Sequence, residues 1–153
     1  MRTVETLRLA PIVNDAANPN TVISACGNVR DERVLIVGHD SLEPMCALIR
    51  RGARQVTTLR LTERPEPHCA DLVLAPHIES ETEAAGFLAV ARRALAPFGR
   101  IVLLLPTETK DRMARRVARM LPTYALSLVK ARRLGAWTLI AAERPFGPPA
   151  TRA

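Results

Sequence analysis

The sequence predicts an α/β fold: an open, mostly parallel sheet of about six strands, with helices on both faces and a C-terminal antiparallel hairpin. Two observations lead to this prediction. From residue 33 onwards, short apolar runs alternate with segments of helical periodicity, which is typical of sheets built from strand–helix–strand units. The 153 residues are 48% hydrophobic and 24% charged, a composition that suits one domain with one core and excludes a wholly disordered chain.

The first strand is the clearest element. Residues 34–37 form a fully apolar run that ends at Gly38, as expected of a central parallel strand that is buried on both faces. Ser80 and Glu83 have the spacing of a capping box, which predicts a helix start. The other predicted elements are a helix over 42–51 capped by Asp40 or Ser41, strands over 55–61 and 71–75, a helix to about 95, a strand over 100–105, a helix over 107–121, and hairpin strands over 124–131 and 136–142.

Three regions are predicted along the chain. Residues 33–143 form the α/β domain. Residues 1–32 form an N-terminal extension, in which 4–9 suggest a short edge strand, 11–19 a loop and 21–26 a helical turn. Residues 144–153 form a disordered tail that is rich in proline.

The composition also excludes several classes of protein. The apolar runs are too short for a membrane span, and the N-terminus has no apolar signal-peptide core, so we expect a cytoplasmic protein without membrane contact. The three cysteines, Cys26, Cys46 and Cys69, show no paired spacing, which argues against a disulfide scaffold and a zinc knuckle.

The charge distribution is strongly asymmetric. Residues 1–90 hold nine Arg and twelve acids, whereas residues 91–153 hold thirteen basic residues and three acids. Part of this excess lies on one face of the predicted helix 107–121, at Arg112, Arg115, Arg116 and Arg119. A solvated amphipathic face is the common explanation of such a pattern. Our hypothesis is that these arginines bind an acidic protein partner or serve a homo-oligomer, and contact with a nucleic-acid backbone stays open as an alternative.

Ligands of open parallel sheets bind at the carboxyl ends of the strands. The crevice positions predicted there, if a ligand binds, are Gly38, His39, Asp40, Arg60 and His77. His39 and His77 follow neighbouring strands, and two imidazoles with a carboxylate could hold a metal or act as a general base. Neither histidine lies in a specific spacing motif, so the sequence predicts no metal site and no catalytic residue.

Three segments resemble the class I S-adenosylmethionine-dependent methyltransferases. Residues 34–38 with the following helix resemble the family's first motif, residues 70–75 resemble the strand after the nucleotide pocket, and residues 95–104 resemble its Leu-x-Pro-Gly-Gly segment. The resemblance implies a Rossmann-like sheet and, in an active member, methyl transfer from S-adenosylmethionine.

The chain departs from the family at the cofactor positions. The family's first motif has an acid that helps to hold the cofactor's amino group, followed by three glycines. Here the acid position is Ile36, only Gly38 of the glycines remains, and Asp40 and Leu42 replace the other two. The family ends its second strand with an acid that accepts the ribose hydroxyls, and here that position is Arg60, which has no acceptor.

The segment between the second and third predicted strands is also short. Only nine residues, 62–70, connect them, and a helical crossover with another strand needs about a dozen or more. We therefore expect the family's adenine-contacting segment to be absent. Arg60 could bind the 2′-phosphate of a nicotinamide nucleotide. Such a cofactor nevertheless fits no better, because Asp40 and Glu43 would stand where its pyrophosphate binds.

The sequence therefore predicts a degenerate, non-catalytic methyltransferase-like domain, a pseudoenzyme without a cofactor that acts in binding or assembly with a protein partner. One alternative is an active small S-adenosylmethionine-dependent methyltransferase. A second alternative is a non-specific nucleic-acid binder that uses the basic C-terminal half.

Overall fold

A six-stranded sheet forms the centre of the molecule. The structure is a computed structural model, and it describes residues 19–38, 41–106 and 112–145. The strands are β1 (Arg33–Val37), β2 (Gln55–Leu59), β3 (Ala70–Ala75), β4 (Leu95–Pro106), β5 (Ser127–Leu134) and β6 (Trp137–Glu143). Their order in the sheet is β2-β1-β3-β4-β6-β5. The first four strands are parallel, and β6 is antiparallel to β4 and to β5.

Helices cover both faces of this sheet, as the sequence predicts. They are α1 (Pro19–Cys26), α2 (Leu42–Arg50), α3 (Glu81–Ala94) and α4 (Arg112–Met120), and a 3-10 helix follows over Leu121–Tyr124. The helices α1 and α2 share one apolar core with one face of the sheet, and α3 and α4 share a second core with the other face. The α/β fold with a C-terminal antiparallel hairpin is thereby confirmed.

The alternation of side chains along the strands builds the two cores. In β1, Leu35 and Val37 point into the core beneath α3, whereas Val34 and Ile36 point into the core beneath α2. Both sets are buried, which explains why β1 reads as a continuous apolar run rather than an alternating one. Phe87 of α3 is fully buried and is the largest such side chain among the described residues.

The start of α3 confirms the predicted capping box. Ser80 Oγ accepts a hydrogen bond from the Glu83 N–H at 3.1 Å, and Glu83 Oε1 accepts one from the Glu79 N–H at 2.9 Å. At the start of α2, the Ser41 hydroxyl donates to the Gly38 carbonyl and makes no cap to the helix, and the other predicted cap, Asp40, lies outside the described residues.

Two arginines connect the segments at the amino ends of the strands. Arg33 binds Asp71 through its backbone N–H, its Nε and its Nη2. These hydrogen bonds from Arg33 lower the pKa of the Asp71 carboxyl below its ordinary value. Arg100 donates twice to the Cys26 carbonyl, and also to the Asn28 carbonyl and the Glu32 carboxylate. The end of α1 is therefore tied to β4.

Several predicted segments lie outside the described residues. They are the edge strand over 4–9, most of the loop over 11–19, the start of the helix over 107–121, and the tail from residue 146. No helix in the part of the chain that the structure describes is long and apolar enough to cross a membrane.

Candidate functional site

The carboxyl ends of β1, β2 and β3 meet in one crevice. Both β2 and β3 pair in parallel with β1, so the residues that follow these strands lie side by side. The Gly38 N–H donates to the Leu59 carbonyl at 2.8 Å, which places Arg60 next to Gly38. Gly38 has a φ of +125°, a conformation that residues with a Cβ rarely adopt. The turn after β1 therefore depends on glycine.

Two cavities open at this edge, and both are lined by Gly38 and Arg60. The first, of about 410 Å³, extends towards β3 and α3, and its wall also includes Leu61, Thr62, Pro76, His77, Ile78 and Glu83. The second, of about 530 Å³, extends between α2 and β2 and includes Leu42, Met45, Thr58 and Glu63. The structure thus brings together three of the five predicted crevice residues, Gly38, Arg60 and His77. The other two, His39 and Asp40, lie outside the described residues.

Arg60 presents its side chain to solvent at the rim shared by both cavities. Its backbone N–H donates to Glu63 Oε1 at 2.8 Å, so the Glu63 carboxylate turns back onto the loop after β2. The register of β1 and β2 pairs Val37 with Leu59, so Arg60 is the residue that follows the strand end and Glu63 lies three residues beyond it.

His77 lies on the opposite wall of the first cavity. The Ile78 N–H donates to the Leu104 carbonyl at 3.0 Å, and this bond anchors the loop after β3 with Ile78 buried and His77 exposed. His77 Nε2 and Glu79 Oε2 are hydrogen-bonded. The imidazole also lies edge-on to the Trp137 indole, with 5.0 Å between the ring centroids. A histidine held by a carboxylate in this way can accept or hold a proton at the crevice.

Sequence reasoning missed Glu83 as a crevice residue and Trp137 as the neighbour of His77. Trp137 begins β6 and pairs with Pro106 at the carboxyl end of β4, so the hairpin register carries the indole to this edge. Its Nε1 is buried and has no hydrogen-bond partner among the described residues. Glu83 was predicted only as part of a helix cap, but it also lines the first cavity. The sequence signal for this placement was the position of Trp137 directly after the hairpin turn.

Imidazole, thiolate and carboxylate side chains are the usual ligands of metal ions in proteins. Within residues 19–38, 41–106 and 112–145, no group of three or more His, Cys, Asp and Glu side chains is arranged to hold a metal ion.

Comparison with known proteins identifies the fold. No protein-family model matches the chain, and no curated protein sequence matches it. A putative S-adenosylmethionine-dependent methyltransferase from Listeria monocytogenes has a TM-score of 0.69 at 9% identity, covering 86% of this chain and 98% of its own. An S-adenosylmethionine-dependent methyltransferase from Mesorhizobium loti has a TM-score of 0.66 at 11% identity, covering 86% and 100%. The chain has the class I methyltransferase-like fold.

A third similar structure was solved with a bound ligand. The magnesium protoporphyrin IX methyltransferase from Synechocystis contains bound SAH, and it matches this chain with a TM-score of 0.63 at 15% identity, covering 87% of this chain and 84% of its own. At these identities the likeness establishes the architecture of the methyltransferase-like fold and leaves activity open.

The structure also describes three of the residues that the resemblance assigns to the family's cofactor positions. Ile36 is completely buried in the core beneath α2. Leu42 begins α2 and is 71% exposed, and its side chain lines the second cavity. Arg60 offers donors and no acceptor beside Gly38. None of these three side chains carries a hydrogen-bond acceptor.

The outermost strand on this side is β2. No strand among the described residues pairs with the outer side of β2, and the residues between β2 and β3 form only turns and irregular chain. The expected absence of a further strand between them is confirmed. The second cavity is therefore open at the place where an additional strand would close it.

The basic face of α4 is exposed. Arg112, Arg115, Arg116 and Arg119 all point to solvent, whereas Val117 is buried in the core shared with α3. Arg116 makes a surface ion pair with Glu81 at 3.1 Å, with roughly half of each side chain exposed. No ion pair to Arg112, Arg115 or Arg119 is present within the described segments.

Proposed function

We propose that this protein is a methyltransferase-like domain without cofactor-dependent catalysis, and that it works by binding an acidic protein partner. The first half of the proposal, the absence of cofactor-dependent catalysis, rests on the position of Arg60. This residue stands directly after β2 beside Gly38, where the family's ribose-binding acid stands, and a guanidinium cannot accept a hydrogen bond from a ribose hydroxyl.

Two further features support the absence of cofactor binding. Ile36 is fully buried among apolar side chains, and replacing it with the family's acid would bury an unpaired charge. On the open side of the second cavity, no described strand covers the place where the base of a nucleotide would lie. Each of these changes removes a different contact to the same ligand, so their effects on affinity accumulate.

Calorimetry with S-adenosylmethionine and S-adenosylhomocysteine tests this half of the proposal. We expect neither compound to bind more tightly than about 1 mM, which corresponds to about −4 kcal/mol. An Arg60→Gln variant is the matched control, because it removes the positive charge and restores an acceptor at the same place. Micromolar binding to the unmodified protein would contradict this half of the proposal and favour the alternative, an active small methyltransferase, for which the His77–Glu79 pair at the crevice supplies a candidate proton acceptor.

The basic face of α4 carries the second half of the proposal. Arg112, Arg115 and Arg119 repel one another across one face, and like charges one helical turn apart cost about 0.2–0.5 kcal/mol per pair. Among the described residues, Arg116 alone of these arginines has an acidic partner, Glu81. A planar guanidinium suits bidentate contact with a carboxylate, so an acidic protein surface matches this face in charge and geometry.

Charge reversal at α4 tests the partner surface. We expect Arg115→Glu with Arg119→Glu to leave the fold intact, because both side chains are exposed, and to abolish binding of a fluorescent glutamate-rich peptide at low salt. The matched control is Lys130→Glu with Arg132→Glu on β5, which changes the net charge by the same amount on another exposed basic element. Equal loss of binding in both double variants would contradict a specific α4 surface.

A DNA duplex of matched length serves as the competing probe. Binding to a nucleic-acid backbone weakens steeply with salt, because neutralised phosphates release counterions. Tighter binding of the duplex than of the peptide, with such a salt dependence, would overturn the protein-partner proposal in favour of the nucleic-acid alternative.

A further inference from the structure

The two edges of the sheet differ in charge. At one edge, β5 carries Lys130, Arg132 and Arg133, all exposed, and its pairing with β6 is interrupted between Leu128 and Lys130. Basic side chains and bulges are the usual devices by which edge strands avoid pairing with another chain. The other edge, β2, has the sequence Gln-Val-Thr-Thr-Leu, with no charged residue, no proline and no break in its register with β1. The β2 edge lacks all of these protective devices.

The outward-facing backbone groups of β2 can be assigned. The Leu59 carbonyl accepts a hydrogen bond from the Gly38 N–H, so it faces β1. The N–H and C=O of one strand residue point to the same side, and the side alternates along the strand. The N–H and C=O groups of Val56 and Thr58 therefore point away from β1, where no described strand pairs with them.

An apolar stripe lies next to this edge on α2. Leu42 and Ile49 are 71% and 56% exposed, and half-buried Met45 lies between them at helical spacing. Leu42 and Met45 line the same cavity as Thr58 of β2, so the stripe adjoins the edge strand. Large exposed apolar side chains grouped in this way are typical of a contact surface.

We infer that the β2 edge and the α2 stripe form the interface of a homodimer, in which β2 pairs antiparallel with β2 of a second copy. A two-fold axis perpendicular to the sheet puts both α2 helices on the same face, so their apolar stripes meet. A register centred on Thr57 places only uncharged strand residues opposite one another, and it pairs Thr57 with its equivalent in the second copy.

The distribution of charged side chains favours pairing of two copies through β2 over pairing through β5. Two β5 strands would bring three basic side chains against three others, whereas the β2 pairing brings like charges together only at its ends, where Arg54 of one copy faces Arg60 of the other. Salt screens that repulsion and strengthens apolar contact, so this dimer forms more tightly as salt rises. Association through the basic face of α4 has the opposite salt dependence, and the inference stands independently of the proposed function.

Analytical ultracentrifugation over a range of protein concentration and salt tests the interface. We expect a reversible species of twice 16.8 kDa that is favoured by salt. Thr57→Lys puts two ammonium groups at the two-fold axis and is expected to weaken dimerisation at least about tenfold. Thr57 is exposed, so the monomer should keep its fold, as circular dichroism can verify. Ala131→Lys adds the same charge to exposed β5, and it should leave the dimer intact.

Hydrogen exchange identifies the edge independently. The amides of Val56 and Thr58 are expected to become protected as the concentration rises, and to lose that protection in Thr57→Lys. A protein that stays monomeric at every salt concentration would overturn the inference. So would a dimer that Thr57→Lys leaves unchanged, or protection of these amides in the monomer, which would mean that residues of the same chain cover the edge.

Discussion

Arg100 is predicted to hold α1 against the sheet, and Arg100→Met removes that connection while keeping most of the apolar stem. Its guanidinium makes hydrogen bonds of 3.0 and 2.7 Å to the Cys26 carbonyl, 3.2 Å to the Asn28 carbonyl and 2.9 Å to the Glu32 carboxylate. Each such bond contributes about 1 kcal/mol net. Arg100 and Glu32 are each about a quarter exposed, so water recovers part of the loss. We expect unfolding to become easier by about 3 kcal/mol.

Urea denaturation followed by circular dichroism measures this change. A loss of about 3 kcal/mol corresponds to a melting temperature lowered by about 6–12 °C in a domain of this size. Arg115→Met is the matched control, because Arg115 is exposed on α4, and it should change the free energy of unfolding by less than about 0.5 kcal/mol. A loss below about 1 kcal/mol for Arg100→Met would refute the reasoning that these bonds anchor α1.

Three further predictions concern single residues. Asp71→Asn should cost about 1 kcal/mol at neutral pH. Arg33 lowers the pKa of Asp71, so the wild-type advantage is present above the ordinary aspartate pKa of about 3.9 and should disappear in denaturation series as the pH falls below it. Burial raises the pKa of Cys26 to about 12, so a thiol reagent at neutral pH should modify exposed Cys46 quickly and Cys26 only on unfolding. Gly38→Ala should cost about 1–3 kcal/mol in thermal melts from its φ of +125° alone, because a Cβ there meets no atom of the described residues within 4 Å.

The sequence predicts the buried strands and α3 well because their signals are local. The apolar runs of β1 and β3, and the Ser80–Glu83 cap, depend on neighbouring residues only. Segment ends that depend on distant contacts were less predictable. β4 begins at Leu95 rather than at residue 100, because Leu95 pairs with Ala70 before an irregularity in the register. That pairing is a contact between strands, and no local pattern encodes it.

The end of α4 shows a second limit of sequence reasoning. The chain continues as a 3-10 helix through Tyr124 and then turns at Ala125, which has a φ of +62°, so β5 begins at Ser127 rather than at residue 124. Alanine gives no sequence signal for a left-handed conformation. At the crevice, His77 and Arg60 were predictable from the strand ends, whereas Trp137 reaches His77 through the register of a hairpin formed far along the chain.

The position of β6 has a consequence for synthesis of the chain on the ribosome. β6 lies between β4 and β5, although it follows both in the sequence. While residues 137–143 are not yet made, β4 has no neighbour on its outer side, and β5 has no strand to join. A nascent chain of this length displays the edge of an apolar strand, the kind of surface to which chaperones bind and from which aggregation starts. Folding of the sheet is therefore completed only after β6 has emerged, and a stop codon before Trp137 should yield an aggregating fragment rather than a smaller stable domain.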